Sequence, residues 1–324
     1  MPPVPSLVWL LTVYGYDILT HIEDYKARIT STFGSILKMD STKKVTTKLA
    51  GAASDMAAWV TNVGNEYGQV LNSVFICSEA SEGLSAMAAG LMRQYRDAEV
   101  PPPKILYVDR DCCNRDGVSK TAVLFHEWGN LVVRLDIWHL MRCFSAGVTC
   151  ESHELYPTFM RQLSHCIFEV DPGDARRLTD AKRTELGRKH GLVDLSNTEV
   201  IQRISKKEWR LHCRRRTPRA EDTAILIQNL LDTFSGPAGR NTLNIPLLDD
   251  LRIQEIWTTQ RRHLSCIQDP PGVQLYMQTG KLTKGGVSLP VYCCARGSNS
   301  LESFHLHLNR FIPATSRRSL WMEW

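Results

Sequence analysis

Lys104-Ile105-Leu106-Tyr107-Val108 is an apolar run behind a proline stop, Pro101 to Pro103, and it passes directly into Asp109-Arg110-Asp111-Cys112-Cys113. A run of that length, rich in aliphatic and aromatic residues, reads as a buried strand. Charging the end of a buried strand is costly unless the acids sit at the mouth of a site, where water or a cation meets their charge. The pattern recurs twice. Ser35-Ile36-Leu37-Lys38-Met39 delivers Asp40, and Leu131-Val132-Val133-Arg134-Leu135 delivers Asp136, followed by Trp138 and His139. Three acid-tipped strands predict one carboxylate cluster at one edge of one sheet.

The 324 residues, 43% of them hydrophobic, allow one large domain or two ordinary ones. A net charge of +5 permits an anionic partner without requiring one. Ten cysteines lie in no secretory framework, so a reducing compartment is expected. The apolar stretch from Leu7 to Leu19 has no basic flank, is broken by Tyr14, Gly15, Tyr16 and Asp17, and is too short to span a bilayer. It reads as an amphipathic helix, and no membrane partner is expected.

Hydrophobic spacing predicts helix from residue 6 to about 30 and then the strand to Asp40. Two more strands, Met56 to Val63 and Gln69 to Cys77, flank the turn Gly64-Asn65-Glu66-Tyr67-Gly68. A helix over Glu82 to Ala98 precedes the strand to Asp109. A short helix (Ser119 to Trp128), the strand to Asp136 and a helix over Ile137 to Phe144 follow. A three-strand meander followed by αβ units predicts an α/β fold with a ribonuclease-H-like mixed sheet. Beyond about Thr149 the strand signal stops. Helices are expected over Leu155 to Phe168, Asp174 to His190, Thr198 to Cys213, Glu221 to Phe234 and Leu247 to Ile267. The predicted organisation is a helical lead-in (1–30), the first part of the core (31–149), an all-helical insertion (150–284), the last part of the core (285–312) and a tail (313–324).

Phosphodiester cleavage needs an activated oxygen nucleophile and a stabilised leaving oxygen, and two hard cations held by carboxylates supply both. Asp40 and Asp109 are candidate ligands at strand ends. Glu302, just inside a late helix, is a third, and Asp111 competes with Asp109 for the second position. Asp136 and His139, three apart at a strand-to-helix junction, either serve the site or act as helix cap and Trp138 packing partner. The basic run holding Lys206, Lys207, Arg210, Arg214, Arg215 and Arg216, with Trp209 among the cations, suits phosphate contacts or a solvated helix face. Lys43, Lys44 and Lys284 are further candidate phosphate contacts, and Lys48 continues the basic stretch after Asp40. The adjacent pairs Cys112-Cys113 and Cys293-Cys294 are poorly spaced for chelation and read as buried reduced thiols. Cys150 with His153 and His263 with Cys266 complete no four-ligand zinc set in the sequence.

With these residues placed, the chain resembles the DDE/D-type transposases of eukaryotic cut-and-paste elements, and most of all the transposase-derived proteins of fish genomes. The resemblance spans about residues 30 to 312. It rests on Met39-Asp40-Ser41-Thr42-Lys43-Lys44, Tyr107-Val108-Asp109-Arg110-Asp111-Cys112-Cys113, Leu135-Asp136-Ile137-Trp138-His139 and Ser300-Leu301-Glu302-Ser303-Phe304-His305. It implies a nuclear enzyme core for DNA strand cleavage and transfer, with two Mg²⁺ or Mn²⁺ ions on Asp40, Asp109 and Glu302, supported by Asp136 and His139. DNA is the implied partner, and a homo-oligomer is allowed. Such transposases carry an N-terminal DNA-recognition domain that is not legible here, which leads us to expect a fragment or a domesticated remnant. The competing expectation is a non-catalytic nucleic-acid-binding or protein-interaction module of transposase origin.

Overall fold

The strand that ends near Asp40, β1 (Ile36–Thr42), is the centre of a five-stranded sheet in the order β3-β2-β1-β4-β5. The structure is a computed structural model and describes residues 5–44, 46–47, 58–76, 81–113 and 119–311. Lys48, the first residues of the expected second strand, Cys77 and the tail at 313–324 lie outside those residues. The chain is a mixed α/β protein. β2 (Trp59–Asn65) and β3 (Val70–Ile76) run antiparallel to their neighbours, while β4 (Ile105–Val108) and β5 (Val132–Leu135) run parallel to β1 and to each other.

Asn65 closes the β2–β3 hairpin. Its side-chain oxygen accepts from the amides of Tyr67 and Gln69, each at 3.0 Å, and Gly68 takes a φ of +80° that a side chain would resist. Glu66, at the tip, accepts from Ser35 N at 3.0 Å and Ile36 N at 3.3 Å, which fixes the hairpin against the start of β1.

Side chains alternate across β1, so the sheet has two different faces. Leu37 and Met39 enter the main core with Leu106, Val108, Leu135 and the helix α3 (Ser85–Asp97). Ile36 joins Ile105 and Tyr107 in a smaller cluster on the opposite face, closed by Leu275 and Ala295. Lys38 and Asp40 share that second face. The connections between the parallel strands run through α3 and the short α4 (Lys120–Leu124), and α5 (Ile137–Ser145) follows β5 at once.

The lead-in is two helices, α1 (Leu7–Thr20) and α2 (Ile22–Thr30). The expected amphipathic pattern is not realised in α1: none of its residues is buried, and Val8, Tyr16 and Leu19 are more than 70% exposed. No helix among the described residues is long and apolar enough to cross a membrane.

Beyond residue 150 the expected helices form as α6 (Tyr156–Ile167), α7 (Pro172–His190), α8 (Asn197–Gln202), α9 (Lys206–His212), α10 (Ala220–Ser235) and α11 (Asp250–Gln260). The stretch over Thr198 to Cys213 is two helices instead of one. Ser196 with Glu199 and Ser205 with Glu208 form separate capping boxes, and the second starts a new helix. The insertion is not all-helical. Glu169–Val170 (β6) pairs with Arg215–Arg216 (β7), and β8 (Tyr276–Lys284) forms a hairpin with β9 (Val287–Cys294). The expected boundary at 284 cuts the turn of that hairpin, where Gly285 and Gly286 both have positive φ. Charged and threonine residues in β8 masked its strand character, and register with β9 supplies what local pattern lacks. The last helix, α12 (Asn299–Phe311), lies across β1 and β2, where a Cβ on Gly64 would meet Leu301 Cδ2 at 3.0 Å.

Candidate metal centre

Parallel register brings the three strand-end acids together. Met39 stands opposite Val108 and Val108 opposite Leu135, so Asp40, Asp109 and Asp136 follow side by side on adjacent strands. Asp136 N donates to Val108 O at 2.7 Å, which extends the ladder by one residue. α12 then lowers Glu302 and His305 onto the same edge, with Glu302 in the helix's first turn. His139 projects from the first turn of α5.

Two groups of three donors result, and they share Asp40. Asp40, Asp109 and His139 form one, and Asp40, Glu302 and His305 the other; within each, the ligand atoms lie no more than 4.8 Å apart. His139 Nε2 lies 3.8 Å from Asp40 Oδ1 and 3.9 Å from Glu302 Oε1. His305 Nδ1 lies 3.4 Å from Asp40 Oδ2. Asp111 belongs to neither group, so of the two acids after β4 it is Asp109 that faces the cluster. A positive φ at Asp111 turns the chain away, and Ser119 Oγ donates to its carbonyl at 2.9 Å.

The electrostatics are those of an uncompensated acidic site. Asp40 is 2% exposed, and burial together with the Asp109 and Glu302 charges pushes its carboxyl up to about 8. Burial likewise raises Asp109, with the neighbouring His139 opposing, and it holds His305 below the usual histidine range. Asp40 Oδ2 and His139 Nε2 are buried without a hydrogen-bond partner. Like charges packed together and buried ligand atoms without hydrogen-bond partners suit a bound cation, and the residues present fit one.

Sequence reasoning missed three supporting residues. Asn62, opposite Asp40 on β2, donates through Nδ2 to His305 Nε2 at 2.7 Å, leaving the imidazole proton on Nδ1 toward Asp40. Asn62 Oδ1 has no partner in that orientation. Turning the amide over would let it accept from Nε2–H and free the Nδ1 lone pair for a cation. His305 itself could have been found: it follows Glu302 by three residues on a helix, the spacing that puts both on one face. Lys38, 4% exposed, reaches Ser300 Oγ at 3.5 Å and is depressed by burial; its place two residues before Asp40 in a strand was the available signal.

Asp136 lies beside the cluster and its oxygens are already used. Oδ1 accepts from Trp138 N at 2.8 Å as the cap of α5, and Oδ2 accepts from Ser298 N at 2.7 Å and from Ser298 Oγ. It is a positioning residue that joins the end of β5 to the turn before α12, so the helix-cap reading of Asp136 is realised. Trp138 and His139 pack edge to face, with ring centroids 5.0 Å apart.

The expected phosphate contacts divide. Lys206, Lys207 and Arg210 are exposed on α9, and Lys44 is exposed just beyond β1. Lys43 sits over the Trp59 ring at 5.1 Å. Arg214 is held by Asp174 at 2.8 Å, Arg216 by Glu169 at 2.9 Å, and Lys284 by Glu208 and Glu185. Arg215 covers the Phe168 ring at 4.6 Å. These last four already have partners: the three arginines bind along and beside the β6–β7 ladder, and Lys284 ties β8 to α7 and α9.

No family model matches the chain, and no curated protein is significantly similar to it.

Proposed function

We propose that this chain is a transposase-like catalytic core that cleaves and transfers DNA strands with two bound Mg²⁺ or Mn²⁺ ions. The observation that carries the reading is that Asp40 is common to two donor groups, one completed by Asp109 and His139 and the other by Glu302 and His305. A carboxylate shared in this way is what a two-metal phosphoryl-transfer site requires, because the ions must stand close enough to act on one phosphate. When bound, the ions would lower the pKa of the attacking hydroxyl or water and neutralise charge on the leaving oxygen. The chain's own residues would do the rest. Asp40, Asp109 and Glu302 would hold the ions, with His139 completing the group on Asp40 and Asp109 and His305 the group on Asp40 and Glu302.

The strand order supports a ribonuclease-H-like core. An antiparallel meander, β1 at the centre and two parallel strands on its far side are the arrangement expected of that fold. The exposed cations Lys44, Lys206, Lys207 and Arg210 are the proposed DNA-backbone contacts. Activity on DNA implies a nuclear location.

Nicking of supercoiled plasmid DNA by the purified chain tests the proposal. Relaxation should require Mg²⁺ or Mn²⁺ and should fall by on the order of 10²–10³ in Asp109→Asn and in Glu302→Gln. Salt-sensitive DNA binding with no metal-dependent cleavage would instead favour the non-catalytic binding module.

A further inference from the structure

Cys112 and Cys113, adjacent in sequence, are joined in space by two donors from about 150 residues downstream, His263 and Cys266. His263 and Cys266 are three apart, one full turn, in the short 3₁₀-helical stretch Arg261–Ile267, so both face the same way. The sequence pairs are each incomplete, and folding completes them. Cys112 and Cys266 are buried, while Cys113 and His263 are half-buried.

We propose that these four side chains form a structural zinc site, Cys₃His, that clamps the loop after Asp109 to the end of the helical block. It is independent of the carboxylate site and stands whether or not that site cleaves DNA.

The donor spacing is close to that of a zinc tetrahedron, with the Cys113–Cys266 edge shorter than the rest. Zinc at about 2.3 Å from sulfur and 2.0–2.1 Å from nitrogen sets S···S edges of about 3.8 Å and S···N edges of about 3.5 Å. Cys112 Sγ and Cys113 Sγ are 3.9 Å apart, and Cys113 Sγ and Cys266 Sγ 3.2 Å. His263 Nδ1 is 3.4 Å from Cys112 Sγ and 3.3 Å from Cys113 Sγ. All four donor atoms lie within 4.8 Å of one another, and the three cysteines are free thiols. Adjacent cysteines can serve one ion here because the chain turns immediately before them, at Asp111 with φ +56°.

Three thiolates against one dication leave a single negative charge, and two cations are in place to meet it. Arg134 and Arg262 line the same cavity as Cys112, Cys113 and Cys266, and Arg134 Nε is buried without a hydrogen-bond partner. Arg262 Nε now donates to His263 Nε2 at 3.2 Å. A metal on Nδ1 places the imidazole proton on Nε2, so binding requires the exposed Arg262 head to swing off that atom, where it can approach a thiolate instead. Loading exchanges thiol protons for the ion, so the balance is one Zn²⁺ bound and three protons released.

The consequence for the fold is a cross-link of high reach. The stretch carrying His263 and Cys266 packs on β5, and Cys112 follows Asp109 by three residues. Zinc would fix the mouth of the sheet on the side where Asp109 emerges, a task that Asp111 and Ser119 otherwise perform with one hydrogen bond.

The test is zinc content of the purified full chain, by elemental analysis, with Co²⁺ substitution as a spectroscopic check. The expected result is one zinc per chain, thiolate-to-cobalt charge-transfer and tetrahedral d–d bands on exchange, and a thermal midpoint lower by on the order of 10 °C after chelation. Cys113→Ser and Cys266→Ala should lose most of the zinc. Cys150→Ser, at an exposed thiol outside the cluster, and Asp109→Asn, in the carboxylate site, should keep it. If Cys113→Ser does not fold, the cobalt spectrum of the parent chain still decides. Zinc absent after purification and refused on addition, with the thiols still titratable, overturns the proposal. So does a Cys113–Cys266 disulfide in protein kept under reducing conditions.

Discussion

Asp136 Oδ2 accepts a hydrogen bond from Ser298 N at 2.7 Å, joining residues 162 positions apart in the chain. That bond sets the start of α12 against the end of β5, and through α12 it sets Glu302 and His305 over Asp40. Asp136→Ala should therefore cost about 2–3 kcal/mol, since it removes a helix cap and leaves buried donors on Ser298 unmet. Asp136→Asn, which keeps the size and one acceptor, should cost less. Chemical denaturation checks the ranking. Equal stability of the alanine variant and the parent would remove this positioning role.

Gly297 is held by the same contact. Its φ is +77°, and a Cβ there would stand 3.1 Å from Asp136 Oδ1. Gly297→Ala combines a left-handed backbone with that crowding and should destabilise by about 1–3 kcal/mol. A thermal melt of the variant measures it.

Asp40 gives the protein a pH signature. Its carboxyl is pushed up to about 8 when folded, whereas the unfolded chain releases that proton near pH ~4. Between those values the native state holds a proton that the unfolded state has lost. Stability from this group is thus full below pH ~4, falls as pH rises toward about 8, and is level above it. Asp40→Asn should flatten the slope and leave the metal-free protein more stable at pH ~8, by on the order of 2–4 kcal/mol. Divalent cations, which compete with that proton, should bind more tightly as pH rises through the same window. An unchanged slope in Asp40→Asn would assign the pH dependence elsewhere.

Two imidazoles among the donors distinguish one ion from another. Mg²⁺ prefers oxygen, while Mn²⁺ accepts nitrogen more readily, so Mn²⁺ should be the better activator. His305→Ala and His139→Ala should each narrow that preference. Comparison of nicking rates in the two ions gives the answer directly, and a preference untouched by both variants would put the imidazoles outside the metal shell.

The cations of the insertion should separate into two kinds. Replacing Lys206, Lys207 and Arg210 together by alanine should weaken DNA binding and lower the slope of log affinity against log salt by up to about 0.9 per lost phosphate contact, with stability unchanged. Arg214→Ala should instead lower stability, because its guanidinium satisfies the buried Asp174 carboxylate. A reversed outcome would show that the α9 cations have structural partners and that Arg214 faces the nucleic acid.

Much of this architecture was legible before any coordinate. β1, β4 and β5 announce themselves as short apolar runs, β1 and β4 buried on both faces and the edge strand β5 on one, and their terminal acids follow from register alone. The Asn65 turn was equally plain, because its residues carry the local chemistry of a hairpin. The β8–β9 hairpin was not, since β8 is mostly polar and exposed and gains its order from its partner strand. The Cys112-Cys113 and His263/Cys266 cluster was invisible for a different reason. Each half has too few donors, and only the path of the insertion brings them together. Asn62 and Lys38 escaped notice because polar residues inside a strand show their role only once the opposite helix is in place. The basic run read as one surface from sequence, but Arg214, Arg215 and Arg216 lie beyond the end of α9, where Arg214 reaches the buried Asp174, Arg215 covers the Phe168 ring and the exposed Arg216 pairs with Glu169 at the surface.

The central claim is that Asp40 serves two ions at once. Mn²⁺ binding to the zinc-replete chain, counted by electron paramagnetic resonance of the free ion, tests it most directly. The account predicts two Mn²⁺ per chain in the parent, loss of one in Asp109→Asn and in Glu302→Gln, and loss of both in Asp40→Asn. Two ions retained in Asp40→Asn, or none bound by the parent at any pH up to about 8, would contradict it.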